Sequence, residues 1–193
     1  GRIDTNTVKF AGTIEQQRAA APGGADSVLL LAAGDNVGAS LFASASAQDQ
    51  PTIDVLNALE LDASAVGNHE FDQGFADLRD RIIGVGPNAD WDYLAANVYN
   101  DPVANTVPAP LHEYALFTLN AGQADEVVVG VIGAVTVETP TLVSPAGVSG
   151  LRFGDPVAAV NRVAAQLTDG NGANGEADVI IAEYHEGAPD SLI

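Results

Sequence analysis

Three features of this 193-residue chain predict an α/β fold. Short apolar runs bounded by turn residues recur at 27–33 (SVLLLAA), 63–66 (ASAV), 93–99 (YLAANVY) and 179–184 (VIIAEY). The first and last of these read as strands covered on both faces. Between the runs lie stretches whose apolar residues recur at helical spacing. The third feature is HEYALFTLN followed by EVVVGVIGAV across AGQAD, a hairpin signal over 112–135 that adds antiparallel pairing. Strands alternating with helices in this way build one α/β domain.

Each element has a local reason. In TVKFAGTIEQQRAA (7–20), Val8, Ala11, Ile14 and Arg18 share a helical face, and PGG stops the helix. The 27–33 run ends in GDNVGAS. QPTIDVLNALE (50–60) carries Pro51 near its start and a face marked by Ile53, Leu56, Asn57 and Leu59. ASAV ends in GNHEFD, and GFADLRDRIIGV (74–85) is helical by pattern. DPVANTVPAP (101–110) and TPTLVSPAGVSG (139–150) read as loops. DPVAAVNRVAAQL (155–167) is an amphipathic helix, and the polar turn DGNGANGEAD leads into the last apolar run, which ends in HEG. There is no internal repeat and no interdomain linker.

Composition narrows the function. Hydrophobic residues make up 47% and mean hydropathy is +0.13, which argues against disorder. No apolar run is long enough to cross a membrane. Seven Lys+Arg stand against 26 Asp+Glu, a net charge of −19, and Lys9 is the sole lysine. Such a chain lacks the cationic surface that nucleic acid or an anionic membrane requires. A phosphate-bearing substrate would need a positive charge from elsewhere, for which a bound metal is the natural candidate. With no cysteine or methionine, thiolate ligation and disulfides are excluded, and the chain suits an oxidising compartment.

The ends of the strands carry the chemistry. Asp35 follows SVLLLAAG, Asn68 and His69 follow ASAVG, and His185 follows VIIAEY. Each alone has a plainer reading as a turn residue, a helix cap or a structural histidine. In open α/β sheets, however, ligands gather at the carboxyl ends of strands, where loops distant in sequence converge. Carboxylate, amide oxygen and imidazole together form a mixed O/N set suited to divalent zinc, manganese or iron. Two such ions a few ångströms apart would clamp phosphate oxygens and acidify a water. His112, at the start of the hairpin, is expected to face solvent and is assigned no role.

LLLAAGDNVGAS followed by DVLNALELDASAVGNHEFDQG resembles the calcineurin-like metallophosphoesterases, and more narrowly the bacterial 5′-nucleotidase, UDP-sugar hydrolase and 2′,3′-cyclic phosphodiesterase family. VKFAGTIE, LAANVY, VGVIGAVT and ADVIIAEYHEG extend the likeness over nearly the whole chain. The resemblance implies a four-layer α/β/β/α sandwich, incomplete here. It makes Asp35 the ligand that bridges two divalent ions (zinc, manganese or similar). Asn68 becomes a ligand of one ion that also meets the phosphate, and His185 a further ligand of that same ion. It pairs His69 with Asp72 as a dyad that stabilises the transition state and assists the leaving group, with Asn68 and His69 both meeting substrate.

The implied activity is metal-dependent hydrolysis of phosphate esters, most readily nucleotides, in an exported protein: secreted, periplasmic or attached to the cell wall. The alternatives are a non-catalytic surface or binding protein that keeps the fold, and a cyclic-nucleotide phosphodiesterase. An intracellular phosphodiesterase or DNA-repair nuclease is disfavoured by the charge. The family's Asp-x-His motif should precede a Gly-Arg, which here is Gly1-Arg2, and a Gly-His-x-(His/Gln) motif should follow His185 beyond Ile193. Residues 1–193 are therefore expected to be part of the catalytic domain, without the domain that selects the nucleotide. Alone, they are expected to hold metal weakly and to show little activity.

Overall fold

The computed structural model describes residues 4–84, 89–101 and 105–187. Gly1-Arg2, the end of the predicted 74–85 helix, part of the 101–110 loop and the chain end at Ile193 lie outside them. The helices are α1 (Thr5–Ala20), α2 (Phe42–Ala45), α3 (Gln50–Ala58), α4 (Phe75–Asp77), α5 (Thr139–Leu142) and α6 (Pro156–Gln166). The strands are β1 (Leu31–Ala32), β2 (Ala63–Ala65), β3 (Asp92–Leu94), β4 (Val98–Asn100), β5 (Tyr114–Leu119), β6 (Val127–Val135), β7 (Leu151–Phe153) and β8 (Val179–His185).

Two three-stranded sheets stack face to face. One is parallel, in the order β1-β2-β3; the other runs β5-β6-β8, with β5 antiparallel and β8 parallel to β6. Alternation along the strands sorts side chains into three cores. Tyr93, Leu30 and Ala32 face Ile53 of α3 and Leu78 and Ile82 on one side. Their neighbours Leu94 and Leu31 join Ala63, Ala115, Val129 and Val131 between the sheets. Ile132 and Ala134 turn outward onto Ala159, Val160 and Val163 of α6. Helix, sheet, sheet, helix is thus the order of layers, the predicted sandwich. At Gly133 the sheets are so close that a Cβ would lie 2.6 Å from Leu94 Cβ and 2.9 Å from Ala65 Cα.

Several local expectations need correction. The runs at 27–33 and 179–184 are half-buried rather than covered, because β1 and β8 are edge strands of their sheets among the described residues. Only Leu31 and Ala32 of the first run enter the ladder. The 93–99 run is two strands in different sheets. Between them Asn97 donates its amide to the carbonyls of Val135 and Gly154, at 2.6 and 2.9 Å, and accepts from Val135 N–H at 3.0 Å. β4 pairs with β7, a strand the pattern did not announce. The 74–85 segment is one α-turn followed by a π-helical turn over Leu78–Ile82. A short helix, α5, lies within the predicted 139–150 loop. Val8 is 56% exposed, so the inner face of α1 consists of Ala11, Ile14 and the buried Arg18.

Arg18 closes the end of α3. Its Nη2 donates to Leu59 O at 2.6 Å and Glu60 O at 3.2 Å, and Nη1 pairs with Glu15 at 2.8 Å. Removing a charged donor from buried carbonyls costs about 1.5–3 kcal/mol. Arg18→Ala should lower stability by that amount in urea unfolding, and a change within error would deny the cap its role.

Glu183 gives a signed pH dependence. Its carboxylate is buried on β8, accepts Ala65 N–H at 3.1 Å, and is pushed up to about 7 by burial, which that bond only partly opposes. A folded-state value above the ordinary 4.5 means stability is fully present below pH 4.5 and lost as pH rises through 7. The melting temperature of metal-free protein should therefore fall between pH 5 and 8, and Glu183→Gln should flatten that slope. An unchanged slope would refute the assignment.

Candidate metal and phosphate site at the strand ends

Parallel strands deliver their carboxyl ends to one edge of the sandwich. β1 continues through Gly34 (φ 96°) into Asp35 (φ 57°), two successive left-handed residues that turn the Asp35 side chain over the neighbouring loop. Aspartate tolerates this conformation better than most residues. Asp35 Oδ1 then accepts the His69 backbone N–H at 3.0 Å, joining the loop after β1 to the turn after β2. Two glycines permit the contact. A Cβ at Gly34 would lie 2.5 Å from Gly67 N and 2.9 Å from His185 Nδ1, and one at Gly67 would overlap Asp35 Oδ1.

His185 arrives from the other sheet. Its Nδ1 donates to Ala33 O at 2.8 Å, which leaves Nε2 directed at Asn68 Oδ1 (3.1 Å) and Asp35 Oδ2 (3.2 Å). Ala33 O can only accept, so in the neutral imidazole Nε2 offers a lone pair to two oxygen acceptors. Three lone pairs converging on one point call for a cation. A proton on His185 serves in its absence, and the bond with Asp35 raises the His185 pKa against the opposing effect of burial. For Asp35, burial is outweighed by the bonds from His185 and His69 N–H, and its pKa is lowered. The donor set fits a divalent ion of the zinc–manganese kind. Among the described residues no group of three His, Cys, Asp or Glu side chains could hold a metal; the third polar group beside Asp35 and His185 is the Asn68 amide.

His69 stands apart from that trio. Its Nδ1 and Asp72 Oδ2 are 2.9 Å apart, three residues along the same turn. With Nδ1 engaged by the carboxylate, Nε2 is the ring nitrogen turned away from Asp72. The five residues singled out in the sequence thus lie at one edge, with Asp72 behind His69. His112 is exposed and 4.0 Å from Asp92, at no shared site.

Sequence reasoning missed two groups of residues. Thr136 and Glu138 follow β6, a fourth strand ending at this edge, and with Asn68, His185, Leu142 and Glu186 they line a cleft of about 390 Å³. The strand-end rule applied to EVVVGVIGAVT would have flagged them. Glu70, inside the quoted GNHEFD, is 2% exposed beneath the site. Burial raises its pKa, while the N–H groups of Gly67, Asp35 and Asn36 oppose that rise.

Comparison with known proteins shows what this chain is similar to. No protein-family model matches the chain. A cell wall protein of Listeria monocytogenes is 34% identical over 162 residues, covering 77% of this chain and 20% of that protein. The snake venom 5′-nucleotidase of Naja atra is 33% identical over 142 residues, covering 73% and 25%. Among solved structures, the calcineurin-like phosphoesterase YfkN of Bacillus subtilis superposes with a TM-score of 0.71 at 27% identity, covering 94% of this chain and 54% of that one. The chain is a homologue of the calcineurin-like phosphoesterases and 5′-nucleotidases, and it has their fold. It spans about a fifth to a quarter of the length of those two curated relatives. These relatives include a cell wall protein and a venom enzyme, and no helix among the described residues is long and apolar enough to cross a membrane.

The Gly67 contact makes a direct prediction. Gly67→Ala must displace Asp35 and should weaken divalent-metal binding by the full-length protein ~10–100-fold. Metal titration of both proteins checks it; unchanged affinity would mean that Asp35 is not a ligand.

Proposed function

We propose that this chain carries part of the catalytic site of an exported, metal-dependent phosphoesterase that hydrolyses small nucleotides or related phosphate monoesters. The observation that carries this reading is the convergence of His185 Nε2, Asn68 Oδ1 and Asp35 Oδ2, from three strand ends, beside a His69–Asp72 pair. The homologous phosphoesterases support the reaction class, and the venom and cell-wall relatives support export. The net charge of −19 argues for a small substrate rather than nucleic acid.

Asp35, Asn68 and His185 would hold the metal. When bound, divalent ions supply Lewis acidity toward phosphoryl oxygens and acidify a water. The protein groups do the rest. Ala33 O fixes His185 in the tautomer that presents Nε2. Asn68 adds a neutral oxygen to the ligand set, so a phosphate meets less repulsion than a second carboxylate would create, and its side chain orients the substrate. Asp72 holds His69 with Nε2 outward, and the imidazole stabilises the leaving oxygen and gives it a proton.

The test separates these roles in the full-length protein, by metal stoichiometry and phosphate release from a nucleoside 5′-monophosphate. His69→Asn should lower kcat by ~10²–10⁴-fold with KM and metal content nearly unchanged, as for an interaction made mainly in the transition state. Asp35→Asn should lose metal and activity together. Asp72→Asn should resemble a milder His69→Asn. If His69→Asn strips the metal while Asp35→Asn retains it, the roles are reversed. An unmodified protein that binds metal yet hydrolyses no phosphate ester points instead to a non-catalytic surface protein.

A further inference from the structure

The structure assigns Glu70 as the positioning residue that sets the Asp35 loop and the Asn68–His69 turn relative to each other. The inference rests on the phosphoesterase reading above and adds to it a residue that neither ligates nor meets substrate. Glu70 Oε2 accepts the backbone N–H groups of Asp35 (2.8 Å) and Gly67 (2.6 Å), one from each loop. Oε1 accepts those of Asn36 (2.7 Å) and Val37 (3.3 Å). Four donors fill the four acceptor sites of one carboxylate. Among the described residues no salt bridge reaches it, and Val37, which donates to it, and its chain neighbour Phe71 are buried hydrophobics.

A carboxylate so deeply buried is costly unless fully hydrogen-bonded, and an apolar side chain would fill the space with less penalty. What an apolar side chain cannot do is receive four inward-pointing N–H groups from two chain segments. Without that acceptor the Asp35–Val37 segment is tied to the turn and to β2 only through side chains, by Asp35 to His69 N–H and Asn36 to Ser64. The consequence reaches the site directly. Glu70 grips the backbone at Asp35 and Gly67, so Asn68 and His69 are held between two fixed points, Gly67 and Glu70 itself. That geometry puts His69 N–H within reach of Asp35 Oδ1 and Asn68 Oδ1 within reach of His185. Glutamine has the same shape but presents an NH₂ to two of the four N–H donors, so it loses either the Asp35 and Gly67 pair that joins the loops or the Asn36 and Val37 pair, and sets donor against donor there. Aspartate keeps the acceptors but reaches less far.

The experiment uses the full-length protein with Glu70→Gln, Glu70→Asp and, as a stability control far from the site, Arg18→Ala. Mn²⁺ affinity, melting temperature, and kcat and KM for phosphate release from a nucleoside 5′-monophosphate are measured for each. Glu70→Gln should weaken Mn²⁺ binding ~10–100-fold, the usual effect of losing a group that supports metal ligands. It should also lower kcat more than it raises KM. Glu70→Asp should recover part of both, and Arg18→Ala should lower the melting temperature with Mn²⁺ affinity unchanged. Wild-type Mn²⁺ affinity in Glu70→Gln overturns the inference, as does a loss that Arg18→Ala reproduces at an equal fall in melting temperature. If Glu70→Gln does not fold, Glu70→Asp decides by the same comparison. Failure of both to fold makes Glu70 a determinant of the fold and overturns the positioning role. An unmodified protein that binds Mn²⁺ but releases no phosphate sinks the hydrolase reading alone, because the Mn²⁺ titration still judges Glu70. If the unmodified protein binds no Mn²⁺, both fail.

Discussion

Everything at the site depends on how closely two sheets can approach. His185 belongs to the β5-β6-β8 sheet, whereas Asp35 and Asn68 follow strands of the other. Stacked sheets ordinarily sit about 10 Å apart, too far for an imidazole on one to meet a carboxylate on the other edge-on without help. Help comes from small residues. Gly133 leaves no Cβ between the sheets where Leu94 and Ala65 press in, and Ala63 and Ala65 are fully buried on β2. Ala96 N–H reaches Gly133 O at 2.7 Å, and Asn97 bonds both ways with Val135. The sandwich is therefore pinned at the end where Asp35, Asn68 and His185 emerge. The larger side chains Phe117 and Val129 pack between the sheets farther from it.

The electrostatics follow from that convergence. The site lies in a chain of net charge −19, and its immediate neighbourhood adds Asp35, Glu70 and Asp72, with Glu138 and Glu186 lining the adjoining cleft. Among the described residues no lysine or arginine lines that cleft. On the proposed reading a phosphate ester entering it would meet like charge at Glu138 and Glu186, against the two histidines of the site. A bound cation reverses the sign locally, and its affinity gains from the very carboxylates that repel the substrate. The acidity thus counts against a phosphate site only when the metal is left out. Glu70, satisfied by four backbone N–H groups, projects less of its charge upward than an unbonded carboxylate would.

What was legible in the sequence is what depends on local pattern. Helices α1, α3 and α6 and the β5–β6 hairpin fall where periodicity put them, because each hides one stripe or one face and ends at Pro, Gly or a polar turn. The residues at the strand ends were legible because chemistry-bearing side chains after apolar runs are few. Burial was less so. SVLLLAA and VIIAEY are as apolar as central strands, yet both are edge strands here, and strand order is a long-range property that no single run encodes. YLAANVY reads as one strand because nothing in it except Asn97 signals that its two halves join different sheets. Glu70 is not legible within GNHEFD, since an exposed and a fully buried glutamate look alike until the loop above is folded onto it.

The polar groups buried beneath the loops explain why so irregular a segment as 34–49 holds a defined shape. Asn36 donates to Ser64 Oγ at 2.7 Å on β2. Asp49, itself left-handed and buried, accepts Gly38 N–H at 2.9 Å and the hydroxyls of Ser44 (2.8 Å) and Ser40. Together with Glu70 these carboxylates turn a loop with several positive-φ residues into a bonded lattice, replacing the ladder partners that a coil lacks. An apolar filling would be cheaper and would leave the loop free to choose among conformations. Local rules are broken most often around Asp35, and buried charge is concentrated there as well. Irregular backbone and buried charge gathered at one edge are what a fold shows where ligand geometry, rather than stability, decided the sequence.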